Sequence, residues 1–134
     1  MIFIDTGAFV ARYLKRDQHY QAALAAWHEL LESGEPCFTS NLVLSETLTI
    51  LARRTTCEFA ATRARHIYSS SFLHILRPEA NDEIAAIQIL EKYSDQRIGF
   101  CDCVSFTLMH RLGISNAFTF DNHFRIAGFE TFPQ

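Results

Sequence analysis

The sequence holds only five glycines in 134 residues, and none of them builds a phosphate-cradling loop. It has no Gly-x-Ser-x-Gly elbow and no credible Cys/His pair, so serine or cysteine nucleophilic catalysis has no seat here. Its four cysteines, Cys37, Cys57, Cys101 and Cys103, form no Cys-x-x-Cys pair, and none of its six histidines has zinc-type spacing. The cysteines read as buried small hydrophobes in a reducing cytoplasm. No apolar run approaches the roughly 20 residues that span a membrane. The apolar start of the chain is short and ends in an acid, so it reads as a strand rather than a leader. With a net charge of −3 the chain has no global basic field, which argues mildly against gripping nucleic acid by charge alone. An enzyme that holds a phosphate backbone through metals and a local basic patch is not excluded.

What the chain does have is hydrophobic mass, 49% of its residues, with twelve phenylalanines for a heavily packed interior. The length suits one domain with a real core. Short apolar segments alternate with helical patterns. Strands are expected at Met1–Asp5, Cys37–Thr39, Phe72–Leu76, Ala117–Phe120 and Phe129–Phe132. Helices are expected at Ala8–Leu14, Tyr20–Ser33, from a Ser40 or Asn41 cap to about Arg54, at Phe59–Ser69, Asp82–Tyr93 and Asp102–Leu112. A helical turn is expected around His123–Ala127. In the Asp82–Tyr93 segment, Ile84, Ile87 and Leu90 recur at helical spacing. This alternation predicts an α/β fold with a mostly parallel sheet, its apolar strands covered on both faces.

Four acids interrupt the apolar runs: Asp5 after Ile2-Phe3-Ile4, Glu46 after Leu42-Val43-Leu44, Asp102 between Cys101 and Cys103, and Asp121 after Phe118-Thr119-Phe120. A carboxylate withdrawn from water costs several kcal/mol unless something compensates it. Each has a structural alternative. Asp5 and Asp102 suit helix N-caps, and Asp121 suits a turn. Glu46 is mid-helix among Leu42, Val43 and Ile50. In parallel sheets, sites lie beyond the carboxyl ends of the strands, and all four acids reach that edge. Their convergence on a shared cation is the simplest common explanation. Oxygen-only ligands suit Mg²⁺ or Mn²⁺, ions that activate water and stabilise phosphoryl transition states, so the natural substrate is a phosphodiester.

Two basic clusters, Arg12/Lys15/Arg16 and Arg53/Arg54/Arg63/Arg65, are either solvated helix faces or nucleic-acid contacts. His123, two residues beyond Asp121, reads as a surface histidine. The stretch Leu24–Leu31 with Trp27 reads as helix core, with a partner groove as its alternative.

Taken together, Ile4-Asp5-Thr6-Gly7-Ala8, Leu44-Ser45-Glu46-Thr47-Leu48, Phe100-Cys101-Asp102-Cys103-Val104-Ser105-Phe106 and Thr119-Phe120-Asp121-Asn122-His123-Phe124 resemble PIN-domain ribonucleases. The likeness is nearest to the VapC toxins of type II toxin–antitoxin pairs, and it covers the whole chain. It implies a single PIN domain with a five-stranded, mostly parallel sheet flanked by helices on both faces, and metal-dependent RNA cleavage. By motif position Asp5 and Asp102 would be the principal metal ligands. Glu46 would bind the metal or its waters, and Asp121 would be a more peripheral fourth member. Thr6 would orient Asp5 or simply start the helix. Thr119 would bond a carboxylate or serve as a strand threonine, and Ser105 is a weaker candidate of the same kind. The resemblance also implies a homodimer and a small antitoxin that lays a segment along the active-site groove. The rival readings are a PIN nuclease of RNA processing without an antitoxin and a non-catalytic acid-pocket binding domain. A receiver-like signalling domain lacks its paired early acids and late strand-end lysine here. A dehalogenase-type phosphatase would need an aspartate where Gly7 stands.

Overall fold

A computed structural model describes residues 1–134. Five strands, β1 (Ile2–Ile4), β2 (Cys37–Ser40), β3 (Leu73–Leu76), β4 (Asn116–Phe118) and β5 (Glu130–Phe132), form one sheet in the order β3-β2-β1-β4-β5. Every pairing is parallel, with Ile2 opposite Cys37 on one side and Asn116 on the other. Seven helices connect the strands: α1 (Thr6–Tyr13), α2 (Tyr20–Ser33), α3 (Asn41–Arg54), α4 (Cys57–Ser69), α5 (Ala80–Lys92), α6 (Phe100–Leu112) and α7 (His123–Ile126). The chain runs outward from β1 to β3, then returns to the other side of β1 for β4 and β5. With right-handed crossovers, that reversal puts the two sets of helices on opposite faces. Accordingly α1 packs on α2 and α3, and α3 on α4, while α5 packs on α6 and α6 on α7.

The central strand is buried along its whole length, as a strand covered on both faces must be. Phe3, Phe9, Phe106, Phe118 and Phe124 are the bulk of the core, and none has more than 1% of its surface exposed. Trp27 lies between Phe9 and Phe118, with ring centroids 5.4 and 5.2 Å away. Its indole N–H donates to the Ala8 carbonyl at 3.0 Å, so the one large polar tip in this region is satisfied.

Helix ends follow local chemistry. Gly34 and Gly113 close α2 and α6 in left-handed conformation at φ 68° and 69°, where a side chain would be strained. The Ser40 hydroxyl accepts from the Val43 amide at 3.1 Å and so caps α3. Thr56 caps α4, which therefore begins two residues before the expected Phe59. Asp82 accepts the Glu79 amide at 2.8 Å and a two-point ion pair from Arg111 at 2.9 and 3.1 Å, tying α5 to α6.

Two expectations need correction, those for the cysteines and for the Leu24–Leu31 stretch. Cys57 is exposed and Cys101 half-buried, so only Cys37 and Cys103 are buried. In α5 the residues at helical spacing, Ile84, Ile87 and Leu90, face solvent; the small Ala86 and the paired Asp82 are buried instead. The Leu24–Leu31 stretch divides: Trp27 and Leu30 join the core, and Leu24 and Leu31 are exposed.

Candidate active site

Asp5 follows β1 directly. Its amide extends the sheet by donating to the Phe118 carbonyl at 3.0 Å, and its carbonyl receives the first amides of α1. The side chain is thus fixed at the seam where β1, β4 and α1 meet. It is 4% exposed. The hydroxyl of Thr119, just past β4, donates to Asp5 Oδ2 at 2.8 Å. The Thr119 Oγ1 in turn accepts the Asp121 amide at 2.9 Å. Thr119 therefore bonds a carboxylate, rather than serving as an ordinary strand residue, and links two of the four acids.

Asp102 sits one turn into α6, which starts at Phe100, so it is a helical residue and not the cap. Asp121 lies in the turn between β4 and α7, where its Oδ1 accepts the His123 amide at 2.9 Å. Glu46 projects from the middle of α3. Contrary to the reading of its apolar neighbours, it is exposed; the buried side of that turn is taken by Val43, Leu44 and Thr47. All four acids line one open cleft of about 510 Å³, together with Thr6, Asp17, His19, Arg54 and Phe120.

The electrostatics match this crowding. Burial raises the Asp102 carboxyl to about 8, helped by the charges of Asp5, Asp121 and Glu46. Burial also raises Asp5 to about 6, against the Thr119 hydroxyl and the Thr6 amide, which favour its charged form. Cys101 beside them is pushed up to about 12 by burial and then by Glu46, Asp102 and Asp5, which keeps it a neutral thiol. A cleft in which Asp5 and Asp102 resist ionising is short of positive charge.

The remaining candidates divide. Thr6 starts α1, and its buried hydroxyl finds no partner although it lines the cleft. Ser105 turns away: buried, it donates to the Cys101 carbonyl of its own helix at 3.0 Å and touches no carboxylate. Of the arginines, only Arg54 lines the cleft. Arg12 lies over the Trp27 ring at 4.6 Å and Arg63 over Phe59 at 4.9 Å, beside a separate cavity.

His123 is the principal residue that sequence reasoning set aside. Its side chain is 27% exposed, and Nδ1 lies 3.1 Å from Asp121 Oδ1 and 3.8 Å from Asp102 Oδ2. Asp102, Asp121 and His123 each place a donor atom within 4.8 Å of the others, a span that suits one metal ion; Asp5 and Glu46 stand outside it. His19 was also missed. It stacks on Phe120 at 4.4 Å, nearly coplanar, at the rim of the cleft. The only signal for either histidine was an aspartate two residues before it, Asp121 or Asp17, each of which accepts that histidine's amide.

Comparison with known proteins agrees with the fold. A family model described as PIN domain matches residues 2–130. Over 131 residues the chain is 36% identical to VapC20 of Mycobacterium tuberculosis, a 23S rRNA-specific endonuclease, covering 96% of this chain and 95% of that protein. The crystal structure of Mycobacterium tuberculosis VapC20, described as a Sarcin-Ricin loop cleaving toxin, is similar with a TM-score of 0.86 at 34% identity, covering 96% of each chain. FitAcB of Neisseria gonorrhoeae shares the fold at a TM-score of 0.71 and 18% identity, over 98% of this chain and 96% of that one.

Proposed function

The chain belongs to the PIN-domain family, and on that premise we propose that it is a metal-dependent endoribonuclease of the VapC toxin type, cutting RNA phosphodiester bonds in the cleft that Asp5, Glu46, Asp102 and Asp121 line. The observation that carries this reading is the meeting of four acids from distant parts of the chain at the carboxyl edge of the sheet.

The residues fit a divalent cation. Two acids are pushed toward their neutral forms, and two buried polar atoms, Thr6 Oγ1 in the cleft and His123 Nδ1 beside Asp121 and Asp102, have no hydrogen-bond partner. Oxygen-rich donors of this kind suit Mg²⁺ or Mn²⁺. Such an ion, when bound, supplies an activated water and stabilises charge on the phosphoryl group. The protein's own part is positioning. Thr119 fixes one oxygen of Asp5 and leaves the other for the cleft. Asp102 would serve as a charged ligand with a cation bound, since its raised proton affinity comes from burial and from the neighbouring acids that such a cation would offset. Glu46, exposed on the wall, reaches the waters rather than the buried floor. Arg54 at the rim meets the phosphate backbone. The stacked His19–Phe120 pair offers a face for an unpaired base, as in RNA loops, where bases are splayed out.

Because its VapC20 relative is a 23S rRNA-specific endonuclease, 23S rRNA is the first substrate to test. A small antitoxin with a basic side chain would occupy the acid cleft and silence it. A second copy of the chain would cover the exposed Ile84, Ile87 and Leu90 on α5, giving the homodimer the family resemblance implies. The working compartment would be the cytoplasm, where its RNA lies. No helix is long and apolar enough to cross a membrane.

The test is incubation of purified protein with ribosomal RNA in Mg²⁺, in Mn²⁺ and in chelator, beside an Asp102→Asn control. Discrete metal-dependent fragments absent from the control support the nuclease. Intact RNA under every metal moves the reading to a binding role.

A further inference from the structure

Nδ1 of His123 is buried and has no hydrogen-bond partner, although carboxylates surround it. It lies 3.1 Å from Asp121 Oδ1, but the two are not aligned for a hydrogen bond, and that oxygen already accepts the backbone N–H of His123 at 2.9 Å. An ion pair with either acid would use a proton on Nδ1 aimed at an oxygen, and no such alignment exists. The ring is also held in place. The next residue, Phe124, is fully buried, packs edge-on against Phe106 at 4.9 Å, and so fastens α7 to α6, which carries Asp102. A buried imidazole nitrogen with no hydrogen-bond partner, facing two carboxylates, is a ligand arrangement.

The distances agree. An octahedral ion bound at about 2.1 Å brings adjacent donors to roughly 3 Å of one another and opposite donors to roughly 4.2 Å. The Asp102, Asp121 and His123 donor atoms lie within 4.8 Å of one another, so side-chain movement alone, without a backbone shift, can bring them onto one ion. Thr6, 6% exposed and lining the same cleft, contributes a second unpartnered polar atom that points to a missing ligand.

We propose that His123 Nδ1 binds the cation of this cleft directly, alongside Asp102 and Asp121, making a mixed nitrogen–oxygen site that prefers Mn²⁺ to Mg²⁺. This rests on the reading of the cleft as a metal centre and sharpens it. Mg²⁺ favours oxygen donors alone, whereas imidazole suits transition ions, whose affinity series begins at Mn²⁺. One nitrogen in the ligand set therefore separates two ions that a purely carboxylate site would hold more alike.

The test uses Mn²⁺ as the probe. Pulsed electron paramagnetic resonance of the Mn²⁺-loaded protein reads nitrogen coupled to the ion, and calorimetry reads affinity for Mn²⁺ and Mg²⁺. His123→Gln keeps a polar side chain but removes the imidazole, and circular dichroism confirms that it is folded. The expected result is an imidazole nitrogen signal in the native protein that vanishes in the variant. Mn²⁺ binding should weaken by at least about 10-fold and Mg²⁺ binding by much less. Mn²⁺ bound with no nitrogen signal, or with the same signal in both proteins, overturns the proposal and leaves the metal centre standing. No Mn²⁺ binding by the native protein overturns both.

Discussion

The molecule buries acids in two places and treats them in opposite ways. Asp82, between α5 and α6, accepts the Glu79 amide and both arms of Arg111, and these hold its carboxyl below the usual range despite burial. Asp5 and Asp102, between β1, β4 and α6, have no arginine or lysine partner: the Thr119 hydroxyl and the Thr6 amide serve Asp5 alone, and burial with neighbouring acids raises both. The first site is finished by the protein. The second is finished only by something from outside. Burial of a carboxylate therefore does not by itself mark function; burial without compensation does.

The largest effect that tests this contrast is on activity. Asp102→Asn should reduce metal-dependent RNA cleavage to background while the far-ultraviolet circular dichroism stays native; Asp82→Asn should leave the rate per folded molecule unchanged.

Stability should respond to pH in opposite senses at the two sites. The cleft acids bind protons more tightly folded than unfolded, so without metal the protein loses stability as pH rises from about 4 to about 8, through the raised values of Asp5 and Asp102. Denaturation in chelator at pH 5 and pH 8 measures the loss. Asp102→Asn should recover about 1–3 kcal/mol of it at pH 8. Added Mn²⁺ should do the same for the native chain, by mass action. A native protein equally stable at both pH values without metal would erase the distinction between the sites.

Asp82 runs the other way. Its lowered value means that its contribution is present at neutral pH and lost as pH falls below about 4. Asp82→Asn should cost about 1–3 kcal/mol in urea denaturation at pH 7, since Arg111 keeps its charge and loses its partner.

Smaller effects grade the rest of the cleft. Thr119→Val should free Asp5 Oδ2 and weaken metal binding by about 10-fold in calorimetry. Ser105→Ala should change neither metal affinity nor cleavage rate, because that hydroxyl serves only its own helix.

Much of this was legible in the sequence, and the parts that were not share a cause. All five strands and the acids at their carboxyl ends follow from alternation of apolar runs with helical periods. Periodicity identifies a helix but not which of its faces a neighbour will cover. For that reason Ile84, Ile87 and Leu90 were correctly read as helical, yet the face that packs inward is the one carrying Ala86. Glu46 was misjudged for the same reason: apolar residues one turn away lie partly to its side, and the residue itself is exposed. His123 was set aside as a surface residue because Asp102, which its ring approaches at 3.8 Å, sits in another helix. Thr119 was ambiguous until β4 was seen to stop at Phe118, which frees the hydroxyl to turn toward Asp5.

The bond from Thr119 to Asp5 joins residues 114 positions apart. A polypeptide is made from its N-terminus, so Asp5 leaves the ribosome early and waits for Thr119, Asp121 and His123 to emerge. Until they do, the cleft lacks a wall. A nuclease built this way is inert through most of its own synthesis.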